Sequence, residues 1–169
     1  MKTFERLVVE QIPRLRRYAR ALTGDRVPAD DLVQETLARA ISRRHLWVPR
    51  SRIRPWLFTI MHNLFVNDLQ KQARTPALFA AEENDARLAA KGHAETDLIL
   101  RDLDRALAEL TEEQREVVLL IGLEQLSYKE TARVLGIPPG TVMSRLSRGR
   151  ERLRDLISGE SKAGLRRIK

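Results

Sequence analysis

The stretch Leu126–Leu153, LSYKETARVLGIPPGTVMSRLSRGRERL, constrains the fold more than any other part of the chain. Ser127 and Glu130 stand in S-x-x-E spacing, a capping box that opens a short helix over YKETARVL, and Gly136 closes that helix in a left-handed conformation. Pro138 and Pro139 hold the backbone extended and then pre-set the first turn of a second helix. Ala132 lies four residues before the glycine and Val142 six after it. Those intervals suit two helices that cross closely, with a small residue at the crossing and an apolar plug behind the turn. Along the second helix Val142, Leu146, Gly149 and Leu153 recur at helical intervals and form the buried stripe. Thr141, Ser144, Arg145 and Arg148 then face outward near its start, the end by which a recognition helix reads base edges in a major groove.

Spacing alone also fits an ordinary helical hairpin whose arginines are merely solvated. Charge favours the DNA-facing alternative. Residues 136–169 carry 9 basic and 3 acidic side chains, whereas residues 99–135 carry 5 and 8. Positive charge thus collects on the second helix and beyond it, as a phosphate-facing surface requires. The whole chain, with 31 Lys/Arg against 23 Asp/Glu, has a net charge of +8, so a polyanion is a plausible partner.

The rest of the sequence also reads as helix: Leu, Ala, Arg and Glu are abundant and β-favouring aromatics are scarce. An all-α fold is expected, with two small helical domains joined by a flexible linker. The first domain covers residues 1–74, the acidic, Ala-rich linker residues 75–96, and a four-helix helix-turn-helix domain with a basic tail residues 97–169. Helices are expected from about Phe4 to Leu22, stopped at Gly24; from VPADD to about Arg44, with Pro28 in the first turn; from Trp56 through Arg74; and from about Asp97 to Glu109. Thr111 and Gln114 stand in capping-box spacing at the start of another. HLWVPRSRIRP reads as a basic loop. There is no cysteine, hence no disulfide framework and no thiolate metal site. With no run approaching the ~18 apolar residues of a membrane span, a soluble cytoplasmic protein is expected.

On the second helix Asp31, Gln34 and Glu35 make an acidic, polar face in a strongly basic domain. Such a face serves solubility, docks a basic protein surface, or gathers carboxylates for Mg²⁺. WVPRSRIRPWLFTIMHN combines guanidinium groups, flat side chains and a polar helix face, the mixture that grips melted DNA. Trp56 and Phe65 read as core. Asn63 and Asn67, one turn apart, suit base edges and solvent equally well.

Three blocks, ADDLVQETLARAI, RPWLFTIMHNLFVNDLQKQAR and LTEEQREVVLLIGLEQLSYKETARVLGIPPGTVMSRLSRGRERL, occur in an order and spacing that closely resemble the extracytoplasmic-function (ECF) subgroup of bacterial sigma-70-type sigma factors. The resemblance covers nearly the whole chain except the linker and the tail after Ile157. It implies a non-catalytic initiation subunit whose partners are core RNA polymerase, promoter DNA and an anti-sigma factor, with no cofactor. Asp31, Gln34 and Glu35 would dock the clamp helices of the largest polymerase subunit. The loop from about Val48 to Arg54, including Arg52, Ile53 and Arg54, would capture flipped bases of the minus-ten element together with Asn63 and Asn67. Lys129, Thr141, Ser144, Arg145 and Arg148 would contact the minus-thirty-five element as duplex. Two departures bear on promoter preference: Met143 stands where the family often has Lys, and His62 where Arg is common.

Rival functions are a stand-alone DNA-binding regulator, a sigma mimic that sequesters an anti-sigma factor, and a Mg²⁺-dependent nuclease using Asp30, Asp31 and Glu35. There is no P-loop and no nucleophile with a paired base, and His45, His62 and His93 have no evident partners in the sequence.

Overall fold

The computed structural model describes residues 3–49, 51–75 and 94–166. Among these every regular element is helical: α1 (Phe4–Thr23), α2 (Arg26–Ser42), a short 3₁₀ turn (Arg44–Leu46), α3 (Ile53–Arg74), α4 (Ala94–Ala108), α5 (Glu112–Val118), a π segment (Leu119–Leu123), α6 (Tyr128–Leu135) and α7 (Pro139–Arg166). Most of the expected linker, 76–93, lies outside the described residues.

The first unit is α1 to α3. Helix α1 buries Val8, Leu15, Tyr18, Ala19 and Leu22, a stripe at helical spacing, and ends where Gly24 at φ 73° turns its N–H back onto Arg20 O. Asp25 caps α2, its carboxylate accepting the Val27 N–H at 3.2 Å. Thr36, wholly buried in α2, donates its hydroxyl to Leu32 O at 2.7 Å and so satisfies its own donor. Against α1 and α2 packs α3, through Leu57, Phe58, Ile60, Met61 and Phe65, with Phe58 edge-on to Tyr18 at 5.0 Å. Helix α3 begins at Ile53, three residues before the expected start, because Pro55 is tolerated in a first turn where its missing N–H costs nothing.

The second unit is α4 to α7. Its short helices are closed by local chemistry: Thr111 accepts the Gln114 N–H, and Ser127 and Glu130 form the reciprocal capping box read from the sequence. Gly136, at φ 64°, ends α6 in the left-handed region, and the Ile137 N–H bonds Ala132 O at 3.1 Å. Val142 and Leu146 are buried, and Gly149 lies so close to α5 that a Cβ there would meet Val118 Cγ2 at 2.8 Å. Helix α7 continues through the basic tail to Arg166.

The two units are not separate in space. Helix α3 packs on α6, α1 on the π segment and α5, and buried apolar residues of both units belong to one continuous cluster. Among the described residues no helix is long and apolar enough to cross a membrane.

Candidate functional site

The recognition helix α7 places the expected duplex-facing residues at its start, but not equally. Ser144 and Arg148 are exposed and paired, the Arg148 guanidinium donating to Ser144 O and Oγ at 3.3 Å. The Ser144 hydroxyl donates in turn to Thr141 O, which sits half-buried one turn earlier. Arg145 differs. Its side chain is only 22% exposed and its guanidinium lies 3.1 Å from Glu113 Oε1 on α5, because position 145 borders the buried stripe. Lys129 is exposed in the first turn of α6. Beside it a recess is lined by Tyr128, Met143, Ser147, Arg150, Glu151 and Arg154, so α7 presents two cations and one carboxylate on a second flank.

In the first unit Asn63 and Asn67 project into solvent from α3. Arg52, 76% exposed, precedes the same helix with its guanidinium on Glu130, and Arg54 is half-buried in its first turn. Ile53 does not join them as a surface contact: it is 8% exposed and opens the stripe continued by Leu57, Ile60 and Met61. Its part in the loop is to anchor it. Trp47 fixes the other end, its ring tilted against that of Phe4 at 5.6 Å, and Phe4 also meets Trp56 edge-on at 6.0 Å. The Asp31, Gln34 and Glu35 side chains are exposed on α2 and share an open groove with Asn67, Lys71 and Arg74 of α3. Glu35 pairs with Arg39 at 3.0 Å and Asp30 with Arg26 at 3.6 Å. Among the described residues no three His, Asp or Glu side chains are grouped to hold a metal ion.

Several polar residues gain partners that the sequence does not reveal. Arg115 donates to Leu107 O, Ala108 O and Leu110 O at the end of α4, and to Leu22 O at the end of α1, all within 3.0 Å. One planar guanidinium thus closes two helix C-termini, where positive charge is favoured. His62 faces Glu116 at 2.6 Å. Glu124, fully buried, receives the Arg17 guanidinium at 2.8 and 3.2 Å. Burial, and then the charges of Glu116 and Glu124, push the Tyr18 hydroxyl well above its ordinary pKa. The Ser127 N–H, followed by Arg52 and the Ser127 hydroxyl, holds the Glu130 carboxyl below its usual value despite partial burial. Side-chain partners 54 to 107 residues apart have no sequence signature, so only the fold discloses them.

Similarity to known proteins follows the same division. The family model described as the sigma2 domain of PhyR matches residues 8–62, and that for sigma-70, region 4 matches residues 100–153. The chain is 36% identical over 151 residues to the ECF RNA polymerase sigma factor EcfG of Rhodopseudomonas palustris, covering 89% of this chain and 82% of that one. It is 34% identical over 155 residues to the RNA polymerase sigma factor CarQ of Myxococcus xanthus, covering 91% and 88%. The sigma factor RpoE of Bartonella quintana, solved in complex with the anti-sigma factor NepR, superposes with a TM-score of 0.80 at 33% identity over 94% of this chain and 98% of that one. A helix-turn-helix unit with an outward basic helix, an Asn-bearing first unit and relatives of this length and identity together lead to one conclusion: the chain belongs to the ECF sigma factors of RNA polymerase.

Proposed function

We propose that this chain is the promoter-specificity subunit that carries core RNA polymerase to selected promoters and helps open the DNA, with Asp31, Gln34 and Glu35 docking the polymerase. Arg52, Arg54, Asn63 and Asn67 hold opened strand; Lys129, Thr141, Ser144 and Arg148 contact upstream duplex. Arg145 joins them after parting from Glu113. The reading is supported above all by the outward Ser144–Arg148 pair at the start of a helix seated by a capped, glycine-hinged turn. Such a guanidinium is suited to a guanine edge. An anti-sigma partner is part of the proposal.

Run-off transcription with purified core polymerase over a fragment library of the host genome tests the activity and finds the promoter together. Asp31→Lys should weaken polymerase binding and leave duplex binding by the second unit intact. Arg148→Ala should weaken upstream duplex binding by about 1–3 kcal/mol and relax preference at one position. Normal transcription by both variants would refute these assignments.

The match of residues 8–62 to the PhyR domain favours a second reading, since PhyR is described as an anti-anti-sigma factor in its complex with NepR. A mimic of that kind would bind an anti-sigma factor and yield no transcript.

A further inference from the structure

We propose that Met143 is a specificity-determining residue that reads the C5-methyl group of one thymine in the upstream duplex; this deepens, and rests on, the duplex contacts assigned to α7 above. The first two turns of α7 carry three large apolar side chains, Val142, Met143 and Leu146. Val142 and Leu146 are buried and seat the helix, whereas Met143 is 52% exposed. A single exposed apolar residue is ordinary in itself. What gives this one meaning is its place on the helix and the chemistry around it.

The buried positions Val142, Leu146 and Gly149 fix the phase of α7. One turn takes 3.6 residues, so the opposite side falls on Gly140, Ser144 and Ser147, all exposed and all small. Small side chains along this strip let the helix sit deep in a groove. Met143 borders the strip on the side of α6, where it lines the recess with Tyr128 and Ser147, and Arg148 borders it on the other side. Exposed cations continue both borders, Arg150 and Arg154 beyond Met143 and Arg152 beyond Arg148. Glu151, two turns after Ser144, also lines the recess, and its carboxylate ends the stretch that suits a polyanion. The groove-facing part of α7 is therefore its beginning, with Met143 at the edge of that part.

Chemistry then selects what Met143 can recognise. A thioether has no donor and only a weak acceptor, so it cannot read the hydrogen-bond pattern of a base edge. The major groove displays donors and acceptors on all four base pairs and one kind of apolar group, the thymine methyl. An unbranched, polarisable side chain can settle on that methyl without an exact fit. A protein partner would also accept an exposed methionine. Against it stands the lining of the recess, two guanidinium groups and a serine hydroxyl with a single carboxylate, which favours an anionic occupant that carries an apolar spot.

The methyl group can be removed from the DNA alone. On the promoter recovered by the run-off assay, each thymine of the upstream element, on either strand, is replaced in turn by deoxyuridine, and binding by the full chain with core polymerase is measured. Met143 is exposed and alanine is a strong helix former, so Met143→Ala keeps the fold. Deoxyuridine at one position should weaken wild-type binding about fourfold, the transfer worth of one methyl group. Met143→Ala should bind both forms of that duplex equally, at the weaker level. Met143→Leu, close in volume and still apolar, should keep about twofold discrimination. Wild-type binding that ignores every deoxyuridine overturns the proposal, and so does Met143→Ala with undiminished sensitivity. If Met143→Ala instead loses affinity for core polymerase and weakens on all duplexes alike, the recess is a protein contact and the proposal is again overturned. If the wild-type chain yields no transcript with core polymerase, the sigma-factor reading fails by itself. The deoxyuridine scan is then run on duplexes that the full chain alone selects from a random pool: the same pattern there supports Met143 as a base reader, and its absence, or the absence of any selected duplex, overturns it.

Discussion

Gly149→Ala tests how closely the recognition helix is seated. The added Cβ would lie 2.8 Å from Val118 Cγ2, with Gln114 Cβ at 3.5 Å and Gln114 O at 3.6 Å. Carbon atoms settle at about 3.5–4.0 Å, so one pair must separate by roughly 0.7 Å or more. Val118 cannot swing aside cheaply, because a β-branched residue in a helix holds one χ1 rotamer about 90% of the time. Moving α7 instead would loosen Val142 and Leu146, both buried. Overpacking of this kind costs about 1–3 kcal/mol, against roughly 1 kcal/mol gained from replacing Gly by Ala within a helix. The net expectation is a loss of about 1 kcal/mol in urea unfolding. In a Val118→Ala background the obstructing methyl is gone, and the same change should stabilise by up to about 1 kcal/mol. The coupling between the two sites is then about 2 kcal/mol, read from a double-mutant cycle. If Gly149→Ala stabilises equally in both backgrounds, the helices do not meet as closely as described and the reasoning is refuted.

Arg115→Ala should cost about 2–4 kcal/mol in chemical denaturation, since it strips four carbonyls at two helix ends of a charged donor, and Arg115→Lys should recover less than half of this because an ammonium lacks the fork. Glu130, whose native pKa is depressed, lends stability that is complete above roughly pH 5 and drains as pH falls through the native value. Glu130→Gln should therefore flatten the acid limb of the α6 unfolding profile followed by hydrogen exchange. Gln125, held at φ 54°, should tolerate glycine with a gain of up to about 1 kcal/mol in the same urea assay, because a side chain is strained in that region.

The helix-turn-helix was legible down to single residues. Its signals are local: a serine three residues before a glutamate, a glycine after the last apolar position, a proline where a helix can begin. Local signals also located α1 and α2 closely. They misjudged the start of α3, where Pro55 looked like loop and instead occupies a first helical turn. Ile53 shows the harder limit. Adjacent arginines made it look like part of an exposed basic loop, whereas helical phase carries it inward to join Leu57 and Ile60. Arg145 shows the same limit from the other side: its spacing points outward, and only the position of Glu113 on a neighbouring helix shows the guanidinium to be engaged.

By itself, then, the sequence determined the helical class, the capped hairpin with Arg148 on its outer face, and the acidic face of α2. Each depends on residues within a turn or two of one another, where backbone geometry alone decides which side chains share a face. Only the tertiary structure decided that Glu124 is buried against Arg17, that His62 has Glu116 as its partner, and that Arg52 meets Glu130. Those pairings join residues far apart in the chain, and their energies depend on distance and desolvation, which exist only once two helical faces have come together.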